Sequence, residues 1–74
     1  MVNQTLDMSG YACPMPILKT KQALASMATK EIIEVVCTDK SSKKDFAAFC
    51  DQLGHKLISQ RDEGNKIIFN IEKR

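Results

Sequence analysis

Hydrophobic and polar residues alternate along the chain in a series of short patterns. Alternation from Val2 to Met8 predicts a first strand, and apolar positions at helical spacing from Pro14 to about Ala28 predict a first helix. Glu31 to Thr38 is rich in β-branched residues and has apolar side chains on both faces, which is typical of a strand inside a sheet. The first half therefore indicates a strand, a helix and a strand.

The second half of the chain predicts another helix followed by a hairpin. Ser41 or Ser42 can cap this helix, because Ser42 and Asp45 have the spacing of a capping box, and Gly54 is suited to end the helix. Leu57 to Arg61 and Lys66 to Glu72 are strand-like segments on either side of a turn. The order β-α-β-α-β-β predicts an α/β two-layer sandwich, with a mixed four-stranded sheet and both helices on one face.

Length and composition narrow the function classes. The chain has 74 residues, of which 43% are hydrophobic and 27% charged, so we expect a single domain over residues 1–74. No apolar run reaches the roughly 20 residues of a membrane span. A formal net charge of +2 is far from the concentrated positive charge of nucleic-acid binding proteins. We expect no direct contact with nucleic acid or membrane.

Cysteine usage indicates a reducing compartment. The three cysteines, Cys13, Cys37 and Cys50, are an odd number and do not fit a framework of paired disulfides. The first nine residues have no basic stretch followed by an apolar run, so no secretion signal is predicted. We expect a cytoplasmic protein with reduced thiols, and a monomer, because no strand has a long apolar edge.

The chemistry of the sequence is concentrated at the start of the first helix. Pro14 suits the first helical position, which predicts Cys13 as the residue that caps the helix. The positive end of the helix dipole favours a sulfur anion there and lowers the pKa of the thiol. Pro16 removes another N–H group, so the amides of Met15 and Ile17 are expected to face the sulfur. Cys13 is therefore the candidate nucleophile.

Two further features of the segment support a reactive thiol. Gly10 permits the loop to turn sharply toward the helix, and no bulky apolar neighbour in the loop is expected to bury the sulfur of Cys13. No second cysteine lies two residues away, so the dithiol exchange of Cys-x-x-Cys proteins is not available within the motif. We interpret Cys13 as catalytic and Gly10, Pro14 and Pro16 as residues that support the motif.

Other chemically capable side chains have structural explanations. Cys50 shares a helical stripe with two phenylalanines, and Cys37 lies on the inward side of a strand, so both are expected to be unreactive core residues. His55 is expected to complement the dipole at the end of the second helix. Asp45 is expected to cap that helix. No cysteine or histidine pair has the short spacing of a zinc site, so neither a metal nor a cofactor is predicted.

The lysines allow two interpretations. Lys19 and Lys21 lie in the first helix, and Lys40, Lys43 and Lys44 lie at the start of the second. If both helices begin at one edge of the sheet, these lysines would surround Cys13 and attract an acidic partner surface. The alternative is an ordinary solvated lysine face.

The sequence resembles the TusA/SirA-like family of sulfur carriers, whose mark is a Cys-Pro-x-Pro motif at the start of the first helix. The matching positions extend over nearly the whole chain: Leu6-Asp7, Gly10, Cys13-Pro14-Met15-Pro16, Leu18, Leu24, Thr38-Asp39, Asp45, Phe49-Cys50, Gly54-His55 and the closing strand pair. One departure is the turn over residues 28–31, which contains no glycine where the family usually has one. The resemblance implies a fold similar to the C-terminal domain of translation initiation factor three.

The resemblance also implies a function. It predicts that Cys13 accepts sulfane sulfur from a cysteine desulfurase and passes it to a downstream acceptor protein, in some members for thiolation of tRNA wobble uridine. Two alternatives follow from the same loop. It could dock on a partner or regulator without carrying sulfur, or Cys13 could form a disulfide switch with Cys37 or Cys50.

Overall fold

A computed structural model describes residues 2–12 and 14–74, and its element order confirms the predicted β-α-β-α-β-β arrangement. Within this part of the chain no helix is long and apolar enough to cross a membrane. The elements are β1 (Gln4–Met8), α1 (Met15–Ala25), β2 (Ile32–Cys37), α2 (Ser42–Leu53), β3 (Lys56–Glu63) and β4 (Lys66–Glu72).

The four strands form one mixed sheet in the order β1-β2-β4-β3. β1 and β2 are parallel, and both remaining pairs are antiparallel. β2 lies between β1 and β4, as its two-sided apolar pattern predicts. At its end Cys37 pairs with Met8 of β1 on one side and with Ile67 of β4 on the other. Both helices and the β3–β4 turn therefore begin at the same edge of the sheet.

Both helices pack on one face of the sheet through a shared core. Phe46 of α2 stacks on Phe69 of β4 with ring centroids 4.6 Å apart, and Phe49 meets Phe46 edge to face at 6.2 Å. Leu24 of α1 joins the same cluster. The remaining buried members are Met8, Ile33, Val35, Cys37, Cys50, Ile67 and Ile71. Burial of this apolar area against the sheet is the main source of stability for so short a chain.

The start of α2 differs from the predicted capping box. Ser41 precedes the helix and makes no side-chain capping bond, and the Ser42 hydroxyl donates to the carbonyl of Asp39. Asp39 satisfies the first free amide instead, because its Oδ1 accepts the N–H and the hydroxyl of Ser41 at 3.0 and 2.9 Å. The helix therefore begins after Ser41, one of the two predicted capping positions, but without the Ser42–Asp45 capping box. Gly54 ends the helix with φ of 79°, as predicted.

The first helix is shorter than the apolar pattern predicts and ends at Ala25. The N–H groups of Ser26 and Met27 still bond to carbonyls of the last turn, but the chain then turns before β2. In this turn the N–H of Ala28 donates to Glu31 Oε1 at 2.9 Å. Lys30 adopts φ of 71°, a left-handed conformation that usually falls to glycine. The turn that lacks a glycine is thus made by a strained lysine.

One matched pair of substitutions tests the placement of the core. Ile71 is fully buried on β4, whereas Ile58 on β3 is 44% exposed. We expect Ile71→Val to lower the free energy of unfolding by about 1 kcal/mol, because it removes a buried methylene group. Ile58→Val should change it by less than about 0.5 kcal/mol. Urea unfolding followed by circular dichroism measures both values, and equal effects would contradict the assigned burial.

Candidate functional site

Cys13, the predicted nucleophile, lies outside the described residues, so the site is defined by the chain on either side of it. Residues 9–12 lead from the end of β1, and Pro14 leads into α1. Both segments lie at the sheet edge where β2 also ends. The candidate site is therefore the loop between β1 and α1, together with the parts of the fold that hold this loop.

The loop leaves β1 through a compact turn. The N–H of Ser9 donates to Asp7 Oδ1 at 3.0 Å, and the N–H of Tyr11 donates to the Met8 carbonyl at 3.2 Å. The side chain of Ser9, followed by this backbone N–H, lowers the pKa of Asp7. Gly10 has φ of 84°, where a residue with a side chain would be strained. Its N–H donates to Thr38 Oγ1 at 2.9 Å, which joins the loop to the end of β2.

The start of α1 corrects the predicted geometry around Pro14. Pro14 occupies the capping position with φ of −97° and ψ of 10°, and its carbonyl accepts the N–H of Leu18 at 3.1 Å. That is the first intrahelical bond, so helical positions begin at Met15. The amide of Met15, which the sequence predicts to face the sulfur, donates to the Ala12 carbonyl at 3.1 Å. Pro16 is buried at the second helical position.

Exposed apolar side chains flank the position of Cys13. Tyr11 in the loop is 48% exposed, and Met15 and Leu18 on α1 are 39% and 48% exposed. The prediction that no bulky apolar neighbour buries the sulfur of Cys13 stays a prediction, because Cys13 lies outside the described residues. Met15 and Leu18, three residues apart on α1, share one face of the helix, and Tyr11 is an exposed apolar side chain of the loop itself.

Cys37 and Cys50 lie in the core, as predicted. Their relative exposures are 0% and 3%, and burial raises the pKa of each thiol to about 11. A hydrogen bond with Ser42 opposes this rise at Cys37 without cancelling it. Both thiols therefore stay protonated and unreactive at neutral pH.

His55 does not act as a cation at the end of α2. Its Nδ1 accepts the N–H of Arg74 at 3.1 Å, and its ring packs against Phe49 with centroids 5.8 Å apart. Burial, followed by the charges of Lys73 and Arg74, lowers the pKa of His55. Arg74 supplies the expected cation instead, since its guanidinium donates to the Leu53 carbonyl at 3.1 Å.

The lysines divide between the two ends of the molecule. Lys40 and Lys43 line an open groove of about 490 Å³ beside the β3–β4 turn, together with Lys66, which sequence reasoning missed. Lys43 pairs with Asp62 at 3.1 Å. Lys21 instead lines a second groove, together with His55 and Arg74. Within residues 2–12 and 14–74 no three His, Cys, Asp or Glu side chains are grouped to hold a metal ion.

Comparison with known proteins defines the class. Residues 4–73 match the family described as sulfurtransferase TusA. The sulfur carrier protein TusA of Allochromatium vinosum is 44% identical over 71 residues, which cover 96% of this chain and 93% of the relative. The putative sulfur carrier protein YrkI of Bacillus subtilis is also 44% identical over 71 residues, covering 96% of this chain and 95% of that protein.

A solved structure agrees on the fold. The SirA-like protein from Desulfitobacterium hafniense superposes with a TM-score of 0.84 at 21% identity, covering 93% of this chain and 95% of that one. The two chains therefore share the same α/β sandwich fold. The chain belongs to the TusA family, and its role is sulfur transfer.

The raised thiol pKa values predict how stability depends on pH. An unfolded thiol titrates near pH 8.5, whereas Cys50 in the folded protein titrates at about 11. The folded state thus keeps its proton longer, so this contribution to stability is complete below about pH 8.5 and is lost as pH rises toward 11. The unfolding free energy of the wild type should fall between pH 8 and pH 10.5. In Cys50→Ala, which lacks this thiol, the fall should be smaller by about 2 kcal/mol. Urea titrations at both pH values test this, and parallel losses in the two proteins would contradict it.

Proposed function

We propose that Cys13 is the residue that carries sulfur, as a persulfide. A sulfur carrier needs one thiol that reacts at neutral pH, and the other two cysteines are buried with pKa values of about 11. This is the observation on which the proposal rests. The Cys13-Pro14-Met15-Pro16 motif also lies within the residues that match the family.

The proposed reaction moves one sulfur atom in two displacements. The Cys13 thiolate attacks the outer sulfur of a persulfide on the donor, the S–S bond of the donor breaks, and the donor cysteine leaves as a thiolate. Cys13 then holds a persulfide. In the second step an acceptor thiolate attacks the outer sulfur of this persulfide, and Cys13 leaves as a thiolate. The transferred sulfur keeps its oxidation state, so neither step needs a redox cofactor.

The described residues around the motif support anionic sulfur at Cys13. The helix α1 begins at Met15, two positions after Cys13 in the sequence, and the positive end of a helix favours a thiolate or persulfide anion nearby. Pro14 and Pro16 carry no N–H, and the Met15 amide is already bonded to Ala12. The stabilisation we propose therefore comes mainly from the helix dipole rather than from several direct N–H bonds.

The exposed surface supports proteins as donor and acceptor. Tyr11, Met15 and Leu18 offer apolar contact area beside the loop, which a protein surface can cover during transfer. We propose a cysteine desulfurase as the donor and a second sulfur-accepting protein as the recipient. We further propose that the protein acts in the cytoplasm as a monomer, and that sulfur can reach tRNA 2-thiouridine through the acceptor rather than by direct contact with RNA.

Mass spectrometry of the intact protein tests the proposal. Incubation with a cysteine desulfurase and cysteine should add one sulfur, about 32 Da, and a thiol reductant should remove it. Cys13→Ser should gain no mass. Cys50→Ala is the matched control and should load as fully as the wild type.

Three outcomes would contradict the proposal that Cys13 carries sulfur. Wild-type protein that gains no sulfur from an active desulfurase would favour a module that only docks. Loading of the Cys13→Ser variant at the wild-type level would move the carrier role to another residue. A mass loss of about 2 Da under mild oxidation, with Cys13 linked to Cys37 or Cys50, would instead favour a disulfide switch.

A further inference from the structure

In the described part of the loop between β1 and α1, one hydrogen bond reaches a distant part of the chain. The N–H of Gly10 donates to Thr38 Oγ1 at 2.9 Å across 28 positions of sequence. The other hydrogen bonds described for residues 9–12 join them to Asp7, Met8 and Met15, no more than three positions away. These local bonds shape the turn but do not fix its direction relative to the sheet.

Thr38 is a well-fixed acceptor. It directly follows Cys37, the last residue of β2, which is fully buried and pairs with Met8 on one side and Ile67 on the other. The backbone that presents the Thr38 side chain is therefore held by two strand ladders and by the core. A β-branched side chain also has few rotamers, so its oxygen stays in place.

Packing does not hold Gly10 in the same way. A Cβ atom built on Gly10 would meet no other atom within 4 Å, so the space beside this residue is open. Because glycine has no Cβ atom, the backbone at Gly10 can adopt several conformations, including its present positive φ, when nothing restrains it. The bond to Thr38 is thus the restraint that the structure shows at this point of the loop.

We propose that Thr38 is a positioning residue for the sulfur chemistry of Cys13, an inference that rests on the function proposed above. By accepting the Gly10 N–H, Thr38 fixes the direction in which the loop leaves β1, and Cys13 follows Gly10 by three residues. Loss of this bond lets the loop exchange among conformations. The sulfur of Cys13 then spends less time near the positive end of the α1 dipole. The thiolate is stabilised less, and the pKa of the thiol rises.

The test compares the pH dependence of Cys13 alkylation by iodoacetamide in four variants of the full chain. Thr38→Val keeps the shape of the side chain but removes the hydroxyl acceptor. Thr38→Ala removes the hydroxyl and also shortens the side chain. Thr38→Ser keeps the hydroxyl. Thr5→Val is the matched control, because Thr5 is an exposed residue of β1 away from the loop. Peptide mass spectrometry assigns the label to Cys13, and urea unfolding verifies that each variant is folded.

We expect Thr38→Val and Thr38→Ala to raise the pKa of Cys13 by about 0.5 unit or more and to slow alkylation at pH 7 by about threefold or more. Thr38→Ser and Thr5→Val should stay within about twofold of the wild type in rate. A residue that only stabilises the fold would change the unfolding free energy and leave the pH profile unmoved.

Unchanged pH profiles in both Thr38→Val and Thr38→Ala would overturn the inference, as would an equal shift in Thr38→Ser. Sulfur loading of the wild type from a desulfurase is measured in parallel. If the wild type accepts sulfur and the pH profiles of the Thr38 variants do not move, the proposed role of Thr38 is contradicted and the carrier function is not. If the wild type does not load, the carrier function itself fails, whatever the alkylation profiles show.

Discussion

The parallel pairing of β1 with β2 is the constraint on which the site depends. Because Met8 lies beside Cys37, β1 and β2 end together. Each of these strands leads into a helix that begins at the same edge of the sheet. Antiparallel pairing would place the two helix starts at opposite ends of the sheet. The same register brings Thr38 within hydrogen-bonding distance of Gly10. One choice of strand direction thus assembles the loop, both helix starts and the β3–β4 turn.

Hydrophobic pattern predicts the fold well because burial fixes it. The inward positions Ile33, Val35 and Cys37 of β2 are fully buried, and the helical stripe of Phe46, Phe49 and Cys50 meets them across the core. These contacts follow directly from side-chain periodicity. The low reactivity of the Cys37 and Cys50 thiols is predicted by the same reasoning, because burial in the core raises the pKa of a thiol.

Local polar contacts are predicted less well, because several acceptors of similar strength compete for each N–H group. Asp39 takes the capping role expected of Ser42, and Arg74 takes the place expected of His55 at the end of α2. The Met15 amide turns back to Ala12 instead of remaining free. Each choice depends on backbone angles that the residue types do not determine. The contact between Gly10 and Thr38 depends on the strand register, so spacing along the chain contains no sign of it.

The deep placement of Cys37 and Cys50 has a consequence for cargo retention. A persulfide is destroyed by any second thiol that reaches its inner sulfur, because a disulfide forms and the cargo escapes as hydrogen sulfide. Thiols within the same chain would react with the persulfide fastest, because their effective concentration far exceeds that of a dissolved thiol. Both thiols are enclosed in the hydrophobic interior, so they would not reach a persulfide on Cys13 if the protein carries sulfur as proposed.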